Sequence, residues 1–162
     1  HAVLRLLNEI HDFNIALNKG SATREAAYSE NYFTEALANV RRVTKHGSVI
    51  FIISDFANYS EESRIHLQPL ARHNDVVGIH ISDPLERQLP TPDLYSITNG
   101  TDRSRINTAN RKHRDAYESG FQQQMAMIQE EFMRVRSPLL TLQTHQSIIE
   151  GLNRQTTMTM QG

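Results

Sequence analysis

Two aspartates, Asp55 and Asp83, each directly follow a short apolar run that predicts a buried strand. The runs are VIFIIS, residues 49–54, and DVVGIHIS, residues 75–82. Both are rich in β-branched residues and apolar at odd and even positions, which is typical of strands in a parallel sheet. Ligands of open α/β sheets bind beyond the carboxyl ends of the strands. Two carboxylates there could supply oxygen ligands to a hard cation such as Mg²⁺.

A structural role competes with the metal-site interpretation at both positions. Asp55 can cap the turn that leads into the next helix, where Ser60 is the predicted N-cap. Asp83 precedes Pro84, and a residue before proline favours extended or turn geometry. Spacing alone favours the structural role for both residues, and more so for Asp83.

The elements that would position these carboxylates follow from apolar periodicity and turn residues. Apolar residues recur at helical spacing in residues 2–18, 31–45, 60–73 and 108–136, and QSIIEGLNR predicts a last helix. SPLLTLQTH predicts a short strand, and Asn99-Gly100 predicts the turn of a hairpin. The order is α-α-β-α-β-hairpin-α-β-α, with a helix-length crossover between the first two strands. We therefore predict one α/β domain over residues 1–154, a polar loop at 19–30 and a disordered tail at 155–162.

Composition narrows the functional classes. The 162 residues carry a formal net charge of -1, so no overall field attracts nucleic acid or an anionic membrane. The absence of cysteine excludes disulfides, thiol catalysis and cysteine-ligated zinc, and it agrees with a cytoplasmic location. No apolar run approaches the ~20 residues that span a bilayer. The motifs of serine hydrolases, P-loop NTPases and dinucleotide-binding proteins do not occur.

Other polar and apolar patterns favour structural roles. The eight histidines show no H-E-x-x-H spacing, so histidine ligation of a metal is not expected. A basic cluster at residues 103–114 predicts a solvated surface, balanced by Glu130 and Glu131. The stripe of the long helix predicts core packing and consists of Tyr117, Phe121, Met125, Ile128, Phe132 and Val135.

Four stretches together resemble the bacterial domain-of-unknown-function family 58. They are VIFIISDF, LARHNDVVGIHISDPLERQLP, INTANRKHRDAYESGFQQQ and LLTLQTHQSIIEGLNR, and the resemblance runs from HAVLRLLNEI to about Arg154. Members of that family have a von Willebrand factor A-like domain and are commonly encoded beside MoxR-type AAA+ ATPases. The resemblance implies a three-layer Rossmann-like fold with a parallel sheet and an inserted hairpin.

The resemblance also implies a metal-ion-dependent adhesion site. Such sites take an Asp-x-Ser-x-Ser turn after the first strand, a Thr from a later loop and an Asp after the fourth strand. Asp55 matches the last of these, and Asn31 stands where the Thr is expected. No D-x-S-x-S occurs in the chain. We therefore expect Mg²⁺ or Mn²⁺ in the full-length protein and no cofactor in this chain alone.

By the same resemblance, the first three strands of the family lie upstream of HAVLRLLNEI. The sheet would then be incomplete at its N-terminal side, and residues 49–53 would form an edge strand that is apolar on both faces. Exposed edges of this kind favour pairing with another chain. We therefore expect self-association of the isolated chain through this strand.

The function implied by the resemblance is a protein-interaction module, without enzymatic activity, that partners a MoxR-type AAA+ ATPase in chaperone-like or complex-maturation work. Two alternatives stay open. One is a Mg²⁺-dependent α/β hydrolase or phosphotransferase that uses Asp55, with Asp83 as a further ligand. The other is a purely structural domain in which Asp55 caps a turn.

Overall fold

The computed structural model describes residues 32–98 and 103–159, and it describes the side chains of all of these except 97–98 and 154–159. The predicted helix at 2–18, the loop at 19–30, Asn31 and the Asn99-Gly100 turn lie outside the described residues. Five helices and five strands are described. The helices are α1 (Tyr32–Val43), α2 (Glu61–His73), α3 (Pro84–Arg87), α4 (Arg111–Arg134) and α5 (Ile148–Thr159). The strands are β1 (Val49–Ser54), β2 (Asp75–Ser82), β3 (Leu94–Thr98), β4 (Arg103–Asn107) and β5 (Leu139–Gln143).

The predicted α/β fold class is confirmed. Strands β1, β2 and β5 form a parallel sheet in that order, and helices flank it in a Rossmann-like arrangement. The register pairs Ile52 with Gly78, and Gly78 with Leu139. Strands β3 and β4 form a separate antiparallel hairpin, as the alternating pattern on either side of the predicted turn indicated.

Two helix boundaries differ from the sequence prediction. The short α3 was not predicted; it begins at Pro84, whose fixed φ suits the first position of a helix. Helix α5 continues to Thr159, five residues past the predicted domain end at 154. No glycine or proline follows Arg154 within this helix, so nothing in the local sequence stops it.

The core lies on one face of the sheet, beneath α1, α2 and α4. Its fully or nearly fully buried apolar side chains are Leu37, Phe56, Tyr59, Leu67, Leu70, Val76, Ile128 and Phe132. Burying a side chain of this size contributes on the order of 1.5–3 kcal/mol. The core therefore holds the three helices against β1 and β2, and α4 also lines the clefts at the carboxyl ends of the strands.

A glycine in the central strand sets how closely α4 approaches the sheet. A Cβ atom at Gly78 would lie 2.5 Å from Cε1 of Phe132 and 2.7 Å from Cδ1 of Leu139. The ring of Phe132 therefore occupies the space above the backbone of β2. Only glycine leaves that space open, because it has no side chain.

A buried ion-pair network joins α2 to α4. Glu131 is only 2% exposed and accepts two hydrogen bonds from Arg64, at 2.7 and 2.9 Å. Arg134 approaches the same carboxylate at 2.9 Å. The sequence prediction of Glu131 as a surface charge is therefore wrong. A buried carboxylate is tolerated here because two guanidinium groups compensate it.

The second face of β1 is open among the described residues. Val49, Phe51 and Ile53 are exposed on this face, while Ile50 and Ile52 contact the core. Within the described part of the chain, β1 pairs only with β2. Self-association through this strand stays a prediction. No described helix is both long enough and apolar enough to cross a bilayer.

The close packing at Gly78 predicts a clear response to one added methyl group. We expect Gly78→Ala to lower the free energy of unfolding by about 1–3 kcal/mol, because the methyl overlaps Phe132 and Leu139. Gly120→Ala is the matched control: it lies in α4 with no atom within 4 Å of the added Cβ. The control should gain roughly 1 kcal/mol in a helix interior. Denaturant unfolding followed by circular dichroism measures both, and equal midpoints for the two variants would contradict the packing argument.

The ion-pair network makes a second prediction about neighbouring acids of α4. Glu131→Gln removes the buried charge and should lower the unfolding midpoint, because two guanidinium groups lose their counter-charge. Glu130→Gln is the control, since Glu130 is 67% exposed and its pair with Arg134 is solvent-screened. We expect the Glu130→Gln midpoint to match wild type in thermal denaturation. A Glu131→Gln variant as stable as Glu130→Gln would contradict a stabilising role for this network.

Candidate functional site

The residues after β1 form a tight turn around Asp55. The Asp55 Oδ1 atom accepts hydrogen bonds from the backbone N–H of Ala57 at 3.1 Å and from the Ser54 hydroxyl at 3.3 Å. The backbone N–H of Phe56 donates to Ser54 Oγ at 2.9 Å. Asp55 thus closes the turn, as the structural interpretation proposed, while its side chain stays exposed at the end of the strand.

Phe56 holds this turn in an unusual backbone conformation. Its φ is +54°, in the left-handed region that favours glycine, and such positions cost about 1–3 kcal/mol. The side chain is fully buried and packs edge-on against Phe132 with ring centroids 5.6 Å apart. Gln124 of α4 donates from Nε2 to the carbonyls of Phe56 and Ala57. Core packing and α4 therefore stabilise the strained turn that presents Asp55.

Asp83 has a different role, because both of its carboxylate oxygens are bound. Oδ1 accepts from the backbone N–H of Leu85 at 2.9 Å and caps α3, and Oδ2 accepts from the Thr144 hydroxyl at 2.8 Å. These contacts hold the pKa of Asp83 below its ordinary value of 3.8. The hydrogen bond from the Leu85 N–H has the larger effect, and the one from the Thr144 hydroxyl the smaller. The structural interpretation of Asp83 is therefore the one that its contacts support. Asp83 does not line the cleft beside Asp55.

The candidate metal ligands can be assessed only at Asp55, because Asn31 lies outside the described residues. Asp55 and Ser54 supply a carboxylate and a hydroxyl, which are the hard oxygen donors that Mg²⁺ prefers. Among residues 32–98 and 103–159, no group of three or more acidic or histidine side chains could hold a metal. The donor chemistry fits such a cation, but the described donors are too few to bind it without ligands from elsewhere.

His80 of β2 is a feature of the site that sequence reasoning missed. Its side chain is 3% exposed and lies beside Phe56 and Phe121, with ring centroids 6.2 Å away in both cases. Burial lowers the pKa of His80 below its ordinary value of 6.5, against the opposing effects of the Asp55 charge and a hydrogen bond with the Asp55 backbone. The sequence contained one signal for it: His80 is the single titratable residue inside the apolar run VVGIHIS. It lies on the same face of the strand as Gly78 and Ser82.

Two clefts open along α4 at the carboxyl ends of the strands. The first has a volume of about 460 Å³ and contains Asp55 and Glu86 opposite Tyr117. The second has a volume of about 650 Å³ and contains Ser82 and Arg87. Three residues line both clefts, namely His80, Phe121 and Met125. The two clefts are therefore neighbours with a shared wall and floor.

The apolar stripe of α4 is divided between the core and these clefts. Ile128 and Phe132 are buried as predicted, but Phe121 and Met125 are only half-buried. Tyr117 is 40% exposed and donates its hydroxyl to the carbonyl of Leu85 at 3.0 Å. The prediction that the whole stripe is core is therefore wrong for Tyr117, Phe121 and Met125, because the two clefts leave these side chains partly uncovered.

Comparison with models of protein families identifies the family of this chain. The family described as "Protein of unknown function DUF58" matches residues 1–127, which is more than half of the chain. The chain belongs to the DUF58 family. The match contains β1, β2 and the hairpin, and it ends inside α4, so both Asp55 and His80 lie within the region that the family shares. No curated protein and no solved structure matches the chain.

The buried imidazole of this DUF58 chain predicts a pH dependence of stability. Because the pKa of His80 is lowered on folding, the unfolded chain binds a proton below pH 6.5 that the folded chain does not. Stability is therefore complete above this pH and falls as the pH drops towards the folded-state pKa. We expect His80→Gln to flatten this dependence in unfolding measurements between about pH 7.5 and pH 5.

The control for this prediction is His113→Gln, because His113 is exposed on α4. The pH dependence of the stability of His113→Gln should match that of the wild-type chain. If wild type and His80→Gln lost the same stability over this pH range, His80 would not be the group responsible.

Proposed function

We propose that this DUF58 chain is a protein-interaction module whose contact surface is the region of strand carboxyl ends around Asp55. The observation that carries the proposal is the Ser54–Ala57 turn, which holds an exposed carboxylate at a fixed place beside an open cleft. Backbone strain at Phe56 is of the kind that occurs at ligand-binding and switch positions. A rigid polar group next to apolar side chains is suited to a specific protein contact.

The partner that we propose is a MoxR-type AAA+ ATPase, and the role is chaperone-like or complex-maturation work. The support for this partner is the family membership together with the gene association that the family resemblance implies. The geometry adds only the type of surface that such a partner would meet. That surface consists of an acidic first cleft and an apolar wall on α4.

A divalent cation would join the two proteins at Asp55. Ser54 and Asp55 would supply oxygen ligands from this chain, and a carboxylate of the partner would complete the coordination of Mg²⁺ or Mn²⁺. The supporting observation is that the described donors are of the right type and too few for a closed site. Binding of the partner should therefore depend on the cation.

An enzymatic role for the same residues is the second candidate, and His80 is the observation that favours it. A neutral imidazole within reach of the Asp55 backbone, at the edge of a cleft, is the kind of group that acts as a general base. We nevertheless expect no turnover of p-nitrophenyl phosphate in the presence of Mg²⁺. Turnover that disappears in Asp55→Asn would replace the binding proposal with a hydrolase.

The binding proposal predicts different effects for two aspartates at opposite ends of neighbouring strands. We expect Asp55→Asn to weaken binding to a MoxR-type ATPase of the same genome by about tenfold or more, because a carboxylate ligand is lost. Asp75→Asn is the control, since Asp75 is exposed at the amino end of β2 and should leave binding unchanged. Biolayer interferometry with Mg²⁺, with Mn²⁺ and with EDTA measures the affinities.

The outcomes separate the three roles of Asp55. Cation-dependent binding that is lost only in Asp55→Asn supports the interaction module. Equal binding by Asp55→Asn and Asp75→Asn would show that the contact surface does not include Asp55. No wild-type binding under any of the three conditions would overturn the partner, and isothermal titration of the chain with Mg²⁺ then tests whether Asp55 binds a cation or only closes a turn.

A further inference from the structure

The two clefts lie on opposite sides of α4. The α4 residues that line only the first cleft point roughly 180° away from those that line only the second, at about 100° per residue. Phe121 and Met125 belong to both clefts, and the ring contact between Phe121 and His80 separates the clefts beneath the helix. The second cleft extends along α4 from Phe121 to Gln129, which is roughly 12 Å at a rise of 1.5 Å per residue. We call this second cleft the groove, and it has the length of about four residues of an extended peptide.

The two clefts differ in charge. The first cleft is lined by two carboxylates, Asp55 and Glu86, and by no lysine or arginine. The groove is lined by Arg87 and by no carboxylate. Arg87 forms no ion pair with any residue that the structure describes. A segment with an acidic side chain would therefore place it in the second cleft, since the first would repel it.

The chemistry of the groove wall matches a peptide in two further ways. Phe121 and Met125 are half-buried at the junction of the clefts, and they offer an apolar contact to one side chain of a ligand. The second cleft is rich in side-chain amides, which are the same hydrogen-bonding groups as the peptide backbone. The amides belong to Gln122, Gln129, Gln143 and Gln146.

We propose that this groove binds an extended segment of a partner protein, with an apolar side chain over Phe121 and Met125 and an acidic side chain at Arg87. The proposal rests on the proposed function, because it names the chemistry of the segment that such a partner would insert. It differs from the cation site in using Arg87 and α4 instead of Asp55. Binding of the segment therefore needs no metal.

A peptide library tests the proposal without the ATPase and without a cation. A phage-displayed library of random twelve-residue peptides is panned on the wild-type chain in EDTA. We expect the enriched sequences to share an apolar residue within about three positions of an aspartate or glutamate, because extended residues advance ~3.3 Å each. Fluorescence polarisation with labelled synthetic copies of the enriched peptides then gives their affinities.

Point variants assign the peptides to the groove. Arg87→Glu and Met125→Glu should each weaken binding by about tenfold or more. The glutamate at position 87 repels the acidic side chain of the peptide, and the glutamate at position 125 loses its hydration against the apolar one. Arg72→Glu is the control for a changed surface charge, because Arg72 is exposed at the far end of α2. Peptides in which lysine replaces the acidic residue should regain affinity for Arg87→Glu. Circular dichroism melts confirm that each variant is folded.

Two results would overturn the proposal that the groove binds a peptide segment. One is the absence of enriched peptides on a folded chain, and the other is binding that neither Arg87→Glu nor Met125→Glu affects. Enriched peptides that match segments of this same chain would show that a second copy or an internal segment is the occupant, against a separate partner. Loss of ATPase binding in Asp55→Asn with no peptide binding would overturn the groove alone. Peptide binding without any ATPase binding would overturn the partner alone.

Discussion

The contact between Gly78 and Phe132 is the constraint on which the other features of the described structure depend. Because β2 has no side chain at this position, α4 lies close to the sheet, and Phe132 packs over the backbone. Glu131 precedes Phe132 and is thereby placed in the interior, where Arg64 and Arg134 compensate its charge. One close approach therefore joins the central strand, the long helix and the crossover helix into a single packed unit.

The same packing reaches the candidate site through Phe56. Its ring contacts Phe132, while its backbone adopts the left-handed conformation that turns the chain at Asp55. The strain of that conformation is offset by full burial of the side chain and by the hydrogen bonds from Gln124. The exposed carboxylate is therefore positioned by the core, and a change in the core would move it.

Electrostatics separate the interior of the site from its surface. His80 lies between the two clefts, and its burial favours the neutral imidazole. Charged groups are found at the rims instead, with Asp55 and Glu86 on one side and Arg87 on the other. Each cleft therefore presents one sign of charge at its rim, and complementary charge favours one ligand over another.

Local sequence determined most elements of the described structure: the three parallel strands, the periods of the longer helices and their order follow from apolar spacing and turn residues, whereas the short α3 was not predicted. It also placed Asp55 and Asp83 at strand ends. Only the tertiary structure decided that Asp83 is a cap, that Glu131 is buried and that Phe121 and Met125 line a groove. The reason is physical, because periodicity reports which side of an element is apolar, whereas burial depends on which other element covers it.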